Sequence, residues 1–230
     1  MDLAPSALTY YFYSLLLACG FIGVPVLIFY LQKKDLKYEI RHRIIPNETQ
    51  YRNKNWKLRI ADIGFGIIIG TLFYFIGNFL YFLTKNVIIA WLGADFFKIA
   101  QDGSVNTVPP PPPPSNAIIW LLIISGVIVQ FGVVALSEEF CFRGVLLKEL
   151  NHKSLPLGIL LSSFFFMIYH ILPGVVPIQT TLVFSVYYFV FGLLLSFSAL
   201  IQKQDLITAI VAHGTFNSIL WVMQYISYLE

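Results

Sequence analysis

Apolar residues in this chain run in long unbroken stretches, and polar ones gather between them. A helix needs about 20 residues to cross a hydrocarbon core of about 30 Å. Six stretches qualify, at roughly 8–31, 60–83, 117–137 with a continuation, 155–173, 179–201 and 205–228. Strands of a membrane barrel would alternate every second residue, so continuous runs predict helices. A shorter apolar piece, Val87 to Phe97, is too brief to span and predicts an interfacial or re-entrant segment. The third stretch does not stop where its first polar residues appear. Apolar residues resume after Leu136-Ser137-Glu138-Glu139-Phe140-Cys141-Phe142-Arg143, which predicts one helix from about 117 to 150. The expected fold is all-α, a polytopic transmembrane helical bundle.

Composition strengthens this picture. The 230 residues are 57% apolar and only 12% charged, about half the charged fraction of an ordinary soluble domain. The net charge of +3 comes mainly from one segment, so a nucleic-acid-binding face is not indicated. The apolar run near Leu8 lacks the basic flank and small-residue cleavage site of a signal peptide and reads as a retained span. Cys19 and Cys141 form no CxxC pair, so neither a disulfide framework nor a thiolate zinc site is suggested.

Charge also sets the expected orientation. Segment 32–59 holds nine basic residues, Arg143, Lys148 and Lys153 follow the third span, and Lys203 precedes the last. If six spans alternate, these 13 of the 15 basic residues share one side, leaving Lys85 and Lys98 on the other. The positive-inside rule makes the basic side cytoplasmic. Pro109–Pro114 would form a stiff polyproline II spacer of about 19 Å. The expected division is therefore 1–108 as N-terminal spans with a basic loop, 109–116 as a polyproline linker, and 117–230 as a membrane core.

Ionisable groups inside spans are costly and mark function by default. Here they converge. Glu139 and Arg143 stand at i and i+4 in the order that favours pairing, while Glu138 is turned about 100° from that pair on an ideal helix. The fourth span ends at His170, and the last carries His213 and Asn217 one helical turn apart. At about 1.5 Å per residue from the nearest basic residues, Glu138 and His213 lie about 15 Å deep, Asn217 about 21 Å and His170 about 25 Å. Three helices thus bring polar groups to one band of depth.

A carboxylate and an imidazole around a water can generate a nucleophile, with the carboxylate as general base. A second imidazole and an amide can stabilise an oxyanion. Peptide hydrolysis fits these groups, and so does a proton-coupled transporter, since buried Glu and His also mark ion paths. Against transport, the sequence shows no inverted repeat with matching broken helices. Glu138, His170 and His213 could alternatively hold zinc in a three-ligand site, although no HExxH is present.

Glu138-Glu139-x-x-x-Arg143, Phe166-x-x-x-His170 and His213-x-x-x-Asn217, in this order on successive helices, resemble the three motifs of the CAAX prenyl endopeptidase and bacteriocin-processing family. Its eukaryotic members are the Ras-converting CAAX proteases of the endoplasmic reticulum. The resemblance covers about 117–228. It implies an intramembrane endopeptidase with a cavity-containing, conical catalytic core and raises the expected count to six to eight spans, the extra ones hidden in Val87–Phe97 or 32–59. It implies Glu138 as general base, His170 as its partner in holding the water, His213 and Asn217 on the oxyanion side, and Glu139 and Arg143 as supporting or substrate-contacting residues. No cofactor is expected, with zinc the minority alternative. The implied partners are a prenylated protein or peptide and membrane lipid. The implied location is a prokaryotic cell membrane, or the endoplasmic reticulum in a eukaryote. A catalytically idle immunity or scaffold relative is the remaining alternative.

Overall fold

The computed structural model describes residues 5–44, 56–104, 115–171, 177–203, 205–226 and 228–229. Pro109–Pro114 and the basic residues Arg52 and Lys54 lie outside them. Each apolar run that the sequence marks is a helix. In chain order these are α1 (Pro5–Leu31) and the short basic α2 (Leu36–Ile44), then α3 (Trp56–Leu92) and α4 (Ala94–Ser104). The continuous helix α5 (Asn116–Asn151) is followed by α6 (Leu155–Ile171), α7 (Ile178–Ile201) and α8 (Ile207–Ile226).

Four of them, α1, α3, α5 and α7, are long and apolar enough to cross a membrane. Helix α6 is apolar but has 17 residues. Helix α8 has 20 residues and carries His213, Thr215, Asn217 and Ser218 in its middle. The bundle turns large apolar side chains outward, among them Phe12, Leu31, Phe75, Trp91 and Ile128. Exposed apolar surface on this scale is stable against lipid rather than water. The protein is an integral membrane protein.

Two expectations need correction. Val87–Phe97 is not a separate interfacial segment: Val87–Leu92 is the last part of the 37-residue α3, and Gly93, at φ 90°, breaks the chain before α4. Phe97 on α4 then packs with Ala100 and Val183 instead of re-entering alone. Nor does the described part of 32–59 conceal a span, because α2 is nine residues long and rich in Lys, Arg and His.

The basic regions do converge on one end of the bundle. The Lys148 ammonium donates to the His42 carbonyl at 2.8 Å, and Arg43 forms ion pairs with Glu149 of α5 and Glu39 of its own helix. The Leu206 N–H donates to the Ile44 carbonyl at 3.1 Å. Asp205, which pairs with Arg59, accepts from the Ile207 N–H at 3.1 Å, a capping contact for α8. At the opposite end Tyr10 and Tyr11 of α1 pack on Ile119, Leu122, Trp221 and Tyr225.

Small residues let the helices approach closely, as membrane packing requires. A Cβ at Gly70 of α3 would stand 2.4 Å from the Ala212 carbonyl oxygen on α8. One at Gly192 of α7 would stand 3.0–3.1 Å from Ser163 on α6. Between these contacts lies a core of Phe73, Phe142, Phe166, Phe191, Leu195, Ala212 and Phe216, and the polar residues of the site are set into it.

Candidate active site

The expected 117–150 helix is present, but it is not a uniform α-helix. Wider π-helical stretches occupy Gln130–Ala135 and Phe140–Leu147, and a single α-turn, Leu136–Glu139, lies between them. Such π segments recur where a helix carries functional side chains. Both glutamates stand on that central turn and are almost wholly buried, at 3% and 0% exposure.

Glu139 is the hub of the buried charges. Its Oε1 accepts from the Arg143 guanidinium at 2.9 Å and lies 2.8 Å from Nδ1 of His213. A carboxylate paired with Arg143 is an acceptor, so Nδ1 of His213 carries the hydrogen and its Nε2 points onward. Arg143 also donates to the Gly192 carbonyl at 2.9 Å and stacks over Phe166, 4.5 Å from the ring centroid. Its reach to that carbonyl exploits the tight α6–α7 crossing at Gly192. The i,i+4 pair expected from the sequence is present. Its grip on His213, 74 residues away, could not be read from spacing.

Glu138 faces the other way. Its Oε2 is 3.7 Å from Nε2 of His170 and 3.9 Å from Nε2 of His213, and it has no hydrogen-bond partner among the described residues. His170 is held by a 2.9 Å hydrogen bond from Nδ1 to the Phe166 carbonyl, which can only accept. The hydrogen is therefore on Nδ1, and a neutral His170 presents a lone pair at Nε2. Tyr188 stacks on this ring at 4.5 Å and 23°, while Tyr169 and Phe166 pack around it. Both imidazoles are thus locked by partners behind them, with their second nitrogens aimed at one carboxylate oxygen.

A cavity of about 450 Å³ exposes Glu138, His170 and Asn217 on its wall. His213, at 1% exposure, lies behind them. The structure therefore brings together Glu138, Glu139, Arg143, His170 and His213, and puts Asn217 on the same cavity. Sequence reasoning missed the opposite wall, formed by Tyr10, Tyr13, Ser14, Leu17, Ala18 and Phe21. Their spacing is that of one helix face, but α1 is apolar all round and its stripe gives no contrast. Gln130, also on the wall, did leave a signal: it is the one amide within the apolar run 117–136.

Among the described residues, no three His, Cys, Asp or Glu side chains are arranged to hold a metal ion. Bonds of 2.0–2.1 Å in a tetrahedral zinc site put ligand atoms about 3.4 Å apart. The separations at Glu138 are 3.7 and 3.9 Å.

Residues 118–219 match the family of Rce1-like type II CAAX prenyl endopeptidases. Over those residues the membrane core of this chain is similar to that family. No curated protein and no solved structure gives a significant match. The CAAX endopeptidase match runs from just inside the start of α5 to the middle of α8. It takes in all six polar site residues, from Glu138 to Asn217, and leaves α1 to α4 outside.

Proposed function

We propose that this CAAX endopeptidase relative cuts a prenylated protein or peptide near its C-terminus within the membrane, using a water activated by Glu138 and no metal. One observation carries the reading. The unpartnered Oε2 of Glu138 faces Nε2 of two imidazoles, at 3.7 and 3.9 Å, on the wall of a cavity shared with Asn217.

Hydrogen-bond arithmetic supports the roles. Glu138 and the Nε2 of neutral His170 are both acceptors, and a water between them donates one hydrogen to each. Glu138 takes a proton from that water as its oxygen bonds to the scissile carbonyl carbon. The resulting oxyanion accepts from the Asn217 amide on the cavity wall, with His213 on the same side and its Nδ1–H anchored on Glu139. Preorganised donors of this kind act with full effect in a site that excludes water. Collapse breaks the C–N bond, and the proton on Glu138 passes to the departing nitrogen. Arg143 and Glu139 offset each other's charge, so the pair that anchors His213 leaves no net charge in the bilayer. The catalytic unit in this reading is 117–230.

The test uses purified full-length protein in detergent with a farnesylated CAAX peptide. Wild type is expected to release the C-terminal fragment, and Glu138→Ala or His170→Ala to lower kcat by about 10²-fold or more, the range for lost acid–base catalysis. No cleavage, or cleavage indifferent to both substitutions, overturns the proposal. Activity abolished by a strong chelator and restored by zinc overturns its metal-free part.

A further inference from the structure

The proposed chemistry uses one end of the cavity and leaves a second polar group unexplained. Gln130 stands on the first π-helical stretch of α5, two helical turns from Glu138, and is 5% exposed. Its side-chain amide is half satisfied. Nε2 donates to the Tyr10 hydroxyl at 2.6 Å, while the buried Oε1 has no hydrogen-bond partner among the described residues. Tyr10, Ser14 and Gln130 line the same cavity as Glu138 and His170. A buried carbonyl oxygen without a partner keeps the cost of its lost hydration. An apolar side chain of this size would avoid that cost, so an unpartnered carbonyl oxygen on a residue that lines the cavity points to a ligand donor.

We infer that Gln130 is a peptide-binding residue whose Oε1 accepts a main-chain N–H of the bound substrate, three to four residues from the scissile bond. This rests on the proposed endopeptidase reading. The spacing follows from arithmetic. Gln130 and Glu138 are eight residues apart on a helix whose first six residues here are π-helical, a rise of about 10 to 12 Å. An extended peptide advances about 3.3 Å per residue and covers that distance in three to four residues. Tyr10 fixes the orientation of the amide by occupying its nitrogen. The contact reads the backbone, so it selects for an extended peptide of sufficient length and not for a particular side chain. It also gives α1, which lies outside the family match, a place in substrate binding through Tyr10.

Backbone N-methylation removes single donors from the peptide and leaves its side chains intact. Farnesylated peptides would be N-methylated one at a time through the four residues before the cleaved bond and each residue after it. Each is then assayed with wild type and with Gln130→Met, a substitution of similar shape. One methylation, three or four residues from the cut, is expected to lower wild-type kcat/KM about tenfold, the cost of one hydrogen bond of about 1.4 kcal/mol. Gln130→Met should show that tenfold loss on the unmodified peptide and no further loss when that position is methylated. Equal methylation penalties in both enzymes at every position overturn the assignment and leave the endopeptidase reading intact. A wild type that cleaves none of the peptides removes that reading, and this assignment with it.

Discussion

At the residue scale, the adjacent glutamates differ in what each is bonded to. Glu139 is an ion-pair partner and an imidazole anchor, fully buried. Glu138 makes no hydrogen bond through Oε2 and faces the cavity. The two substitutions Glu138→Gln and Glu139→Gln should therefore part company. Glu138→Gln removes the proposed base and should lower kcat by at least about 10²-fold while thermal unfolding in detergent stays within a degree or two of wild type. Glu139→Gln strips Arg143 of its counter-charge, a change that costs about 3–5 kcal/mol for a buried pair. It also frees the His213 ring to choose its tautomer, so melting temperature and activity should fall together. Loss of stability in Glu138→Gln equal to that in Glu139→Gln would make Glu138 a structural residue. The motifs named both residues from the sequence, but not this division of labour. Spacing shows that Glu139 can reach Arg143 four positions on, and says nothing of a histidine 74 positions away.

At the scale of elements, legibility followed contrast along the chain. The long helix through the acidic pair was readable because apolar residues resume beyond it. The first cavity wall was not, because α1 is apolar on every face. Val87–Phe97 misled because its apolar residues continue α3 to Leu92, and only Gly93 marks the break. Packing between helices was equally hidden, since glycines occur both at crossings and in open positions. Gly70 and Gly64, on the same helix, separate these cases. A Cβ at Gly70 meets the Ala212 carbonyl oxygen at 2.4 Å and Thr215 at 2.7 Å, while one at Gly64 meets nothing within 4 Å. Backbone cannot rotate aside, so Gly70→Ala should push α3 off α8 at a cost of about 1–3 kcal/mol. Activity should fall with it, because Ala212 precedes His213. Gly64→Ala should be neutral or stabilising by up to about 1 kcal/mol, the helix-propensity gain. Thermal melts and peptide cleavage measured side by side check both, and equal effects would mean that α3 does not hold α8 through Gly70.

At the scale of the whole molecule, the family match and the cavity do not have the same extent. The matched residues, 118–219, hold every group in the proposed chemistry. Yet the cavity wall facing Glu138 belongs to α1, and the face of α8 that carries Ala212 and Thr215 is covered by α3 through Gly66 and Gly70. The basic end is tied across the same divide, by Arg43 to Glu149 and by Arg59 to Asp205. A core freed of residues 1–108 would lose one wall of its cavity, the cover of α8 and the partner of buried Asp205. Leaving such a charge unpaired is strongly destabilising. Residues 115–230 expressed alone in membranes should therefore aggregate or unfold on extraction into detergent and show no cleavage. Co-expression of 1–108 as a separate chain should restore both a monodisperse complex and activity, since helices once inserted can associate without a covalent link. An isolated 115–230 fragment that remains monodisperse and cleaves peptide at the full-length rate would show that α1 and α3 are dispensable to the site they enclose.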